Sequence, residues 1–536
     1  MLPAGCLYCL FVLFPLAQVV WLSLHRGNAF SLDAYRALWA DPTFHISLAN
    51  TVGWEIAAVL VPTALALPIA LAVARGRPGP LIPAVLILPL LLPPIVVAAL
   101  WTLLYSPAAG PLAVTSLPSP DFLGDPRLAL PSLFVAWLWS VLGIGALLLY
   151  AGLTRIGREW GEGAEVEGAG PLWRLIHITL PALRPVIAVT AAVNAALALQ
   201  VFDLIFAVTG GGPGNATMLL PLEVYGRVFG GRPAQGDAVA ALEAALGVAL
   251  ALAAAGAWGR SESFGGEPPE RRSALGAILA AVAAVIAMLP ILWLVPISLA
   301  PGRSALLGGI DVSRPTLSNL SGVLTLGLGG ALAESAVLAL IAVAGVLVLS
   351  YPAAFALAER TFPRQLRLAA LALLVIGLFQ GTSAILPPLF SLLISLGLLD
   401  SVWGIVLPEI AQALPLAVLV IWGMLRQMPR EIGESAEVDG AGPWRRLVAI
   451  SLPQARPALI VAGVWAFATS WNAYLLPLIV SQGVTITTVP TFLAGLIGRS
   501  DTQYGLLAAG SLIAVLPVVA AALLLRSARA VAGVLR

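Results

Sequence analysis

The sequence predicts an all-α integral membrane protein with about twelve transmembrane helices, arranged as two six-helix repeats. Hydrophobic residues make up 60% of the 536 residues and charged residues 10%, which is more apolar surface than a soluble core of this size buries. Mean hydropathy is +0.98. In addition, a long polar segment of the first half recurs in the second half. Lipid is therefore the expected solvent, and the duplication sets the expected symmetry.

Twelve apolar runs are long enough to cross a bilayer, since a crossing takes about 20 helical residues. The first run lacks a basic flank and a clear cleavage site, so we interpret it as a transmembrane helix and not as a signal peptide. Its Cys6 and Cys9 are interpreted as small apolar residues, not as a redox pair. The crossings are predicted near residues 2–24, 47–73, 81–104, 129–152, 186–208, 237–258, 274–299, 331–357, 368–396, 403–425, 458–480 and 504–525.

The arginine distribution predicts the orientation. The chain contains no lysine, so all 28 basic residues are arginine. With both termini in the cytoplasm, 20 of the 28 fall on the inner side, as the positive-inside rule requires. The missing lysine also argues against an ATP-hydrolysing P-loop in this chain, because that loop needs its lysine on the phosphates.

A duplicated segment divides the chain. The run Arg158-Glu-Trp-Gly-Glu-Gly-Ala-Glu-Val-Glu-Gly-Ala-Gly-Pro recurs as Arg430-Glu-Ile-Gly-Glu-Ser-Ala-Glu-Val-Asp-Gly-Ala-Gly-Pro, an offset of 272 residues. A repeat of this length predicts parallel halves related by a pseudo-two-fold axis along the membrane normal. We therefore expect a first repeat at 1–258, a polar cytoplasmic linker at 259–273 and a second repeat at 274–536.

Each copy of the segment predicts a helix, a tight turn and a second helix. Gly168 and Gly440 stand where a helix ends in a left-handed residue, and the following Gly-Pro suits the first turn of a new helix. A rigid polar knob of this kind fits a groove on a partner protein. Simple capping of a helix bundle is the alternative, although a solvated loop needs no duplicated turn.

These segments resemble the EAA motif of the permeases of ATP-binding cassette (ABC) importers. The positions that match at the family spacing are Glu162, Ala164, Gly168, Glu434, Ala436 and Gly440. Gly163 and Ser435 depart from the family alanine. The resemblance implies a type I importer fold, in which these residues form coupling helices that dock on two ATPase subunits. It also implies that ATP and Mg are bound by those partners, that this chain binds no cofactor and is no enzyme, and that it resides in a bacterial or archaeal cytoplasmic membrane.

Two further signatures resemble the carbohydrate-uptake branch of that family. Residues 202–217 resemble the signature after the fifth helix of one sugar-permease subunit, and residues 470–478 resemble that of its partner subunit. The chain therefore looks like both subunits joined end to end. The candidate substrate-pathway residues are Gln200, Phe202, Asp203, Trp471, Asn472 and Tyr474.

The offset of 272 places Gln200 and Asn472 at equivalent positions, so we expect the two amides to face each other across the pseudo-two-fold axis. Amides beside aromatic rings are what a polyhydroxylated ring requires, although interhelical hydrogen bonds would explain them as well. Mid-span arginine is missing, which favours a neutral sugar over an anion. Three acids in or near spans, Glu55, Glu334 and Glu409, are left open between a functional and a structural role.

The expected partners are two ATPase copies, an extracytoplasmic binding protein that contacts residues 210–217 and 481–500, a small-molecule sugar and the bilayer, with no nucleic acid. Rival cargoes within the class are glycerol phosphate, a polyol, ferric ion and thiamine. A secondary transporter with proton-carrying acids is a more distant alternative. An integral-membrane enzyme is disfavoured, since the three histidines lie apart in the sequence and no metal-ligand pattern is evident.

Overall fold

The computed structural model describes residues 2–27, 29–76, 79, 81–107, 110–111, 120–156, 163–164, 166–258, 273–301, 314–359, 361–482, 486–497 and 504–527. Nearly all of the regular structure is helical, and a two-residue antiparallel ribbon pairs β1 (His25–Arg26) with β2 (Ala29–Phe30). The helices of the first half are α1 (Leu2–Leu24), α2 (Asp33–Trp39), α3 (Pro42–Gly76), α4 (Leu81–Leu91), α5 (Pro94–Tyr105), α6 (Ala129–Leu153), α7 (Pro171–Leu199), α8 (Asp203–Val208), α9 (Leu220–Phe229) and α10 (Pro233–Trp258). Those of the second half are α11 (Ala274–Leu299), α12 (Ser318–Ala358), α13 (Arg364–Leu378), α14 (Ser383–Ser395), α15 (Val402–Arg426), α16 (Arg430–Val438), α17 (Pro443–Asn472), α18 (Leu475–Val480), α19 (Val489–Ile497) and α20 (Tyr504–Ser527).

Within the described residues, ten helices are long and apolar enough to cross a membrane, and two bent pairs raise the number to twelve. This confirms the predicted number of crossings. The order of elements also repeats: α6, α7 and α8 correspond to α15, α17 and α18, and the short helices α8 and α18 begin 272 residues apart. The boundaries at 258 and 273 stay a prediction, because most of the linker lies outside the described residues.

The third span of each repeat is broken, which the sequence did not predict. α4 and α5 meet at 93°, and α13 and α14 meet at 108°. The first break follows from two prolines, Pro93 and Pro94, which remove amide donors and force the preceding residue out of the helical region. The second break falls at Gln380-Gly381, where glycine and polar side chains weaken the helix.

The fifth span of each repeat also differs from the predicted bounds of 186–208 and 458–480. α7 begins at Pro171 and ends at Leu199, and α17 begins at Pro443 and ends at Asn472. Each is therefore one rod that starts at the repeated turn, at roughly 1.5 Å per residue a little over 40 Å from its far end. We call the side of the bundle with the repeated turns the turn face, and the side reached at Leu199 and Asn472 the loop face.

The first helix of each repeat packs on the other repeat. α1 contacts α10 of its own half and also α14 and α15 of the second half, and the Tyr8 hydroxyl donates to the Leu373 carbonyl at 2.9 Å. α11 packs on α3 and α4 of the first half. Gly76 and Gly276 meet where α3 and α11 cross, and a Cβ on Gly276 would lie 2.7 Å from the Gly76 nitrogen. The two repeats thus share one buried core.

Candidate functional site

The repeated turns have the predicted backbone. Gly168 has φ +82° and Gly440 has φ +72°, a region that favours glycine because it lacks a Cβ. The amide of Ala169 donates to the carbonyl of Ala164 at 2.8 Å, and that of Ala441 donates to the carbonyl of Ala436 at 2.9 Å. Both closures are the six-to-one bond of a Schellman motif.

Proline then opens the next helix in each copy, as predicted. Pro171 and Pro443 follow extended glycines, Gly170 and Gly442, at the first helical position, where the missing amide costs nothing. The arrangement confirms the helix, turn and helix expected from the repeat. Glu162 lies outside the described residues, as does the side chain of Glu434, so the structure describes neither carboxylate.

Each turn presents an apolar residue to solvent. Val166 is 89% exposed and Val438, its equivalent 272 residues later, is 88% exposed. Trp444 next to the second turn is 76% exposed. Exposed apolar side chains at matching places in a polar surface are typical of a protein-binding site.

The second turn is tied to the end of α12. A cavity of about 430 Å³ lies between them, lined by Phe355, Ala356, Glu359, Thr361, Phe362, Pro363, Pro443, Trp444, Arg446 and Leu447. Arg446 pairs with Glu359 at 3.5 Å, and the Tyr351 hydroxyl donates to the Leu447 carbonyl at 2.6 Å. Movement of this turn is therefore transmitted to α12.

The aromatic candidates of the substrate pathway are buried near the loop face. Phe202, Trp471 and Tyr474 are 3%, 2% and 4% exposed. Phe202 stacks on Phe206 with ring centroids 5.1 Å apart, and Phe206 lies 5.9 Å from Tyr474 of the other repeat. Asp203 is the first residue of α8 and interacts electrostatically with Tyr474. The structure therefore brings the two predicted signatures together.

The amide candidates do not face each other as expected. Gln200 Nε2 donates to the Ala196 carbonyl at 2.9 Å and to the Leu378 carbonyl at 3.2 Å. Asn472 Nδ2 donates to the Leu91 carbonyl at 3.3 Å. Leu378 and Leu91 are the last residues of α13 and α4, where a helix leaves carbonyls without an intrahelical donor. Each amide thus caps the broken third span of the opposite repeat, a reciprocal contact that offset reasoning did not predict.

Comparison with known families places the chain. A profile of the family described as "Binding-protein-dependent transport system inner membrane component" matches residues 63–257 and again residues 350–532. The chain belongs to this permease family. The double match also confirms two permease units fused in one polypeptide.

Relatives of this permease match one half of it at a time. The trehalose transport system permease protein SugB of Mycobacterium tuberculosis is 32% identical over 266 residues, 49% of this chain and 96% of the relative. The trehalose/maltose transport system permease protein MalF of Thermococcus litoralis is 31% identical over 236 residues, 42% of this chain and 80% of the relative. A solved bacterial ABC transporter that imports the acidic polysaccharide alginate has a TM-score of 0.42 and 20% identity, over 49% of this chain and 94% of that chain.

Sequence analysis missed a polar layer around the second broken span of the permease. Ser383 donates to Glu243 at 2.6 Å, Thr382 donates to Gln412 at 2.7 Å and Ser470 donates to Glu409 at 2.6 Å. Gln380 Nε2 donates to the Ala244 carbonyl at 3.3 Å. The signal that was available is the run Gln380-Gly-Thr-Ser383, four non-aliphatic residues inside an apolar stretch.

The loop that follows each short helix is anchored to the second span of its own repeat. Asn50 donates to the Ala216 and Met218 carbonyls, both at 3.1 Å. In the second repeat, Glu334 accepts from the Thr487 amide at 2.5 Å. Glu334 therefore acts as a loop anchor, which assigns it a structural contact.

A buried ion cluster supports the first of these loops and was also missed. Arg227 of α9 donates to Glu223 and, at 2.9 Å, to Asp41, and it also bonds Gln235. Arg227 and Glu223 are 6% and 3% exposed, and Ser47 of α3 donates to Glu223 as well. Burial opposes ionisation of Asp41, but the hydrogen bond from Thr43 and the Arg227 guanidinium outweigh it and hold the pKa of this carboxyl below its ordinary value.

Proposed function

We propose that this permease imports a neutral sugar, a mono- or oligosaccharide, handed over by an extracytoplasmic binding protein. The observation that carries the proposal is the meeting of the two signatures, which puts the amides of Gln200 and Asn472 and the rings of Phe202, Trp471 and Tyr474 at one level of the bundle. Amides and aromatic faces suit polyhydroxylated rings. Named relatives that transport trehalose and maltose support the same substrate class.

The charge of this level favours a neutral cargo over a phosphate ester. Its charged side chains, among the described residues, are the carboxylates Asp203, Glu243 and Glu409, and arginines of the described spans lie toward the span ends. An anionic cargo would meet repulsion here without a compensating cation. A sugar, in contrast, donates hydroxyl hydrogens to such oxygens.

Two ATPase subunits supply the energy in this proposal. They bind the turn face at the exposed Val166 and Val438 and at the carboxylates of Glu162 and Glu434. Closure of the ATPase dimer on ATP moves both turns together, and the rigid rods α7 and α17 carry that movement to the loop face. Nucleotide shifts the permease between two states only by its different affinity for each.

The proposed orientation puts the turn face and both termini in the cytoplasm of a bacterial or archaeal cell, as the arginine distribution favours. The binding protein then docks on the loop face, at residues 210–217 and 481–500. The permease itself is proposed to hold no cofactor and no ATPase site, with ATP and Mg bound by the partner subunits.

The test is uptake into proteoliposomes that contain the permease, with the ATPase and binding protein encoded beside it. Labelled trehalose and maltose are compared with glycerol 3-phosphate, thiamine and ferric ion. We expect saturable, ATP-dependent uptake of a neutral sugar. Uptake confined to the other solutes would overturn the cargo assignment, and uptake without the ATPase would overturn the mechanism.

The coupling role has a matched pair of variants. Gly440→Ala forces a Cβ into the left-handed region, at about 1–2 kcal/mol, whereas Gly442 has φ −62° and open space for a Cβ. We expect Gly440→Ala to lower both the ATPase retained on purification and the sugar uptake, and Gly442→Ala to change neither. Equal behaviour of the two variants would remove the turn from the coupling role.

A further inference from the structure

The two broken spans differ in chemistry although they occupy equivalent places. The first breaks within Leu90-Leu-Leu-Pro-Pro94, and the second within Phe379-Gln-Gly-Thr-Ser383. The second break lies against the end of α7, since a Cβ on Gly381 would be 3.4 Å from Gln200 Cγ and 3.5 Å from the Leu199 carbonyl oxygen. Polar groups therefore line the cargo level on the side of the second break.

Hydrogen bonds join these polar groups into one belt. Glu243 of α10 holds Ser383, and Thr382 holds Gln412 of α15. Glu409 lies three residues before Gln412, on the same face of α15, and it accepts from Ser470, which directly precedes Trp471. The belt thus runs from the first repeat, through the second break, to the cargo signature of the second repeat.

Three members of the belt keep an unused acceptor. Glu243, Gln380 and Glu409 are 2%, 6% and 8% exposed, and each uses one polar atom in the bonds described above. Their other oxygens, Oε2 of Glu243, Oε1 of Gln380 and Oε1 of Glu409, have no partner in the described part of the chain. Buried acceptors without donors are costly, so each awaits an explanation.

We propose that these three oxygens accept hydrogen bonds from cargo hydroxyls, so that the second broken span and the helices bonded to it form a sugar-binding wall. This inference rests on the proposed sugar-import function and adds the residues that select for hydroxyls. The unused atoms are all oxygens, so they match a donor such as a sugar O–H and reject phosphate or carboxylate groups. Gln380 is the member that distinguishes the wall from a simple acidic cluster, because its amide oxygen is neutral.

The experiment pairs variants with deoxy sugars in the reconstituted complex. Glu243→Gln, Gln380→Leu and Glu409→Gln are compared with Ser350→Ala, a control at another buried residue whose hydroxyl is unpartnered in the described structure and which lies toward the turn face. Uptake of trehalose and of its monodeoxy analogues is measured together with ATPase activity stimulated by the binding protein. We expect about 10-fold lower trehalose uptake in the three variants, less than 2-fold change in ATPase activity, and wild-type behaviour in the control.

The deoxy analogues separate binding from folding. If an oxygen of the wall binds a particular hydroxyl, removing that hydroxyl lowers uptake in the wild type and has no further effect in the matching variant. Additive losses for every analogue, or losses of equal size in Ser350→Ala, would overturn the proposal. So would loss in the two carboxylate variants with full uptake in Gln380→Leu, which would indicate a cationic cargo. Wild-type complex that takes up no sugar would instead refute the proposed function itself.

Discussion

Arg227→Met tests whether the buried ion cluster holds the loop face of the first repeat. The substitution removes the guanidinium that bonds Glu223, Gln235 and Asp41 while keeping an apolar side chain of similar length. Glu223, at 3% exposure, then keeps the Ser47 hydroxyl as a donor but loses its charged partner. Breaking a buried pair by removing one member costs about 3–5 kcal/mol, because a charge stays buried without compensation.

Arg232→Met is the matched control. Arg232 lies 3.8 Å from the same Asp41, but its side chain is 63% exposed, and exposed pairs contribute about 0–1 kcal/mol. Thermal unfolding in detergent should therefore show a fall in Tm on the order of 10 °C for Arg227→Met and little change for Arg232→Met. Adding Glu223→Leu to Arg227→Met should recover part of the loss, since no charge is then left buried. A fall for Arg227→Met no larger than that of the control would refute the reasoning.

Three further outcomes are expected. The pKa of Asp41 is below its ordinary value, so its ionised form adds stability that is complete above the unfolded pKa of about 4 and is lost as the pH falls through the folded pKa; the Tm difference between wild type and Asp41→Asn should shrink from pH 6 toward pH 3, and a constant difference would contradict this. Gly143→Ala should destabilise the protein by about 3 kcal/mol or more, because its Cβ would lie 1.7 Å from a carbonyl oxygen of α4, whereas Gly53→Ala, with nothing within 4 Å, should be neutral or stabilising in the same unfolding assay. Val438→Asp, at an 88% exposed position, should leave the Tm unchanged and weaken retention of the ATPase, and undiminished retention would exclude this side chain from the contact.

The spans and the repeated turns were predictable because they depend on local sequence. Length and hydropathy locate a crossing, and the left-handed glycines at Gly168 and Gly440 follow from a helix-stop pattern read directly from the chain. The broken third spans were less accessible, because hydropathy does not distinguish a straight crossing from two helices at about 90°. Pro93-Pro94 in the first break was a usable signal, whereas Gly381 in the second is tolerated in many helices.

The candidate site was predictable in membership but not in contacts. The offset identified Gln200 and Asn472 as equivalents, yet their acceptors at Leu378 and Leu91 are main-chain atoms of the opposite repeat, which no side-chain pattern reveals. Likewise, the spacing of Glu223 and Arg227 suits a helical pair, but their burial against Asp41 depends on how α9 packs on the loop face. Long-range packing, not local propensity, decides both.

The exchange of the first helices determines how the protein must be made. A nascent chain releases α1 into the bilayer long before the ribosome has synthesised α14 and α15, so the surface that carries Tyr8 waits in lipid until residue 373 and its neighbours arrive. Neither half can mature alone, since α11 completes the first bundle and α1 completes the second. Joining the halves in one polypeptide supplies each with its missing helix at equal stoichiometry and high local concentration.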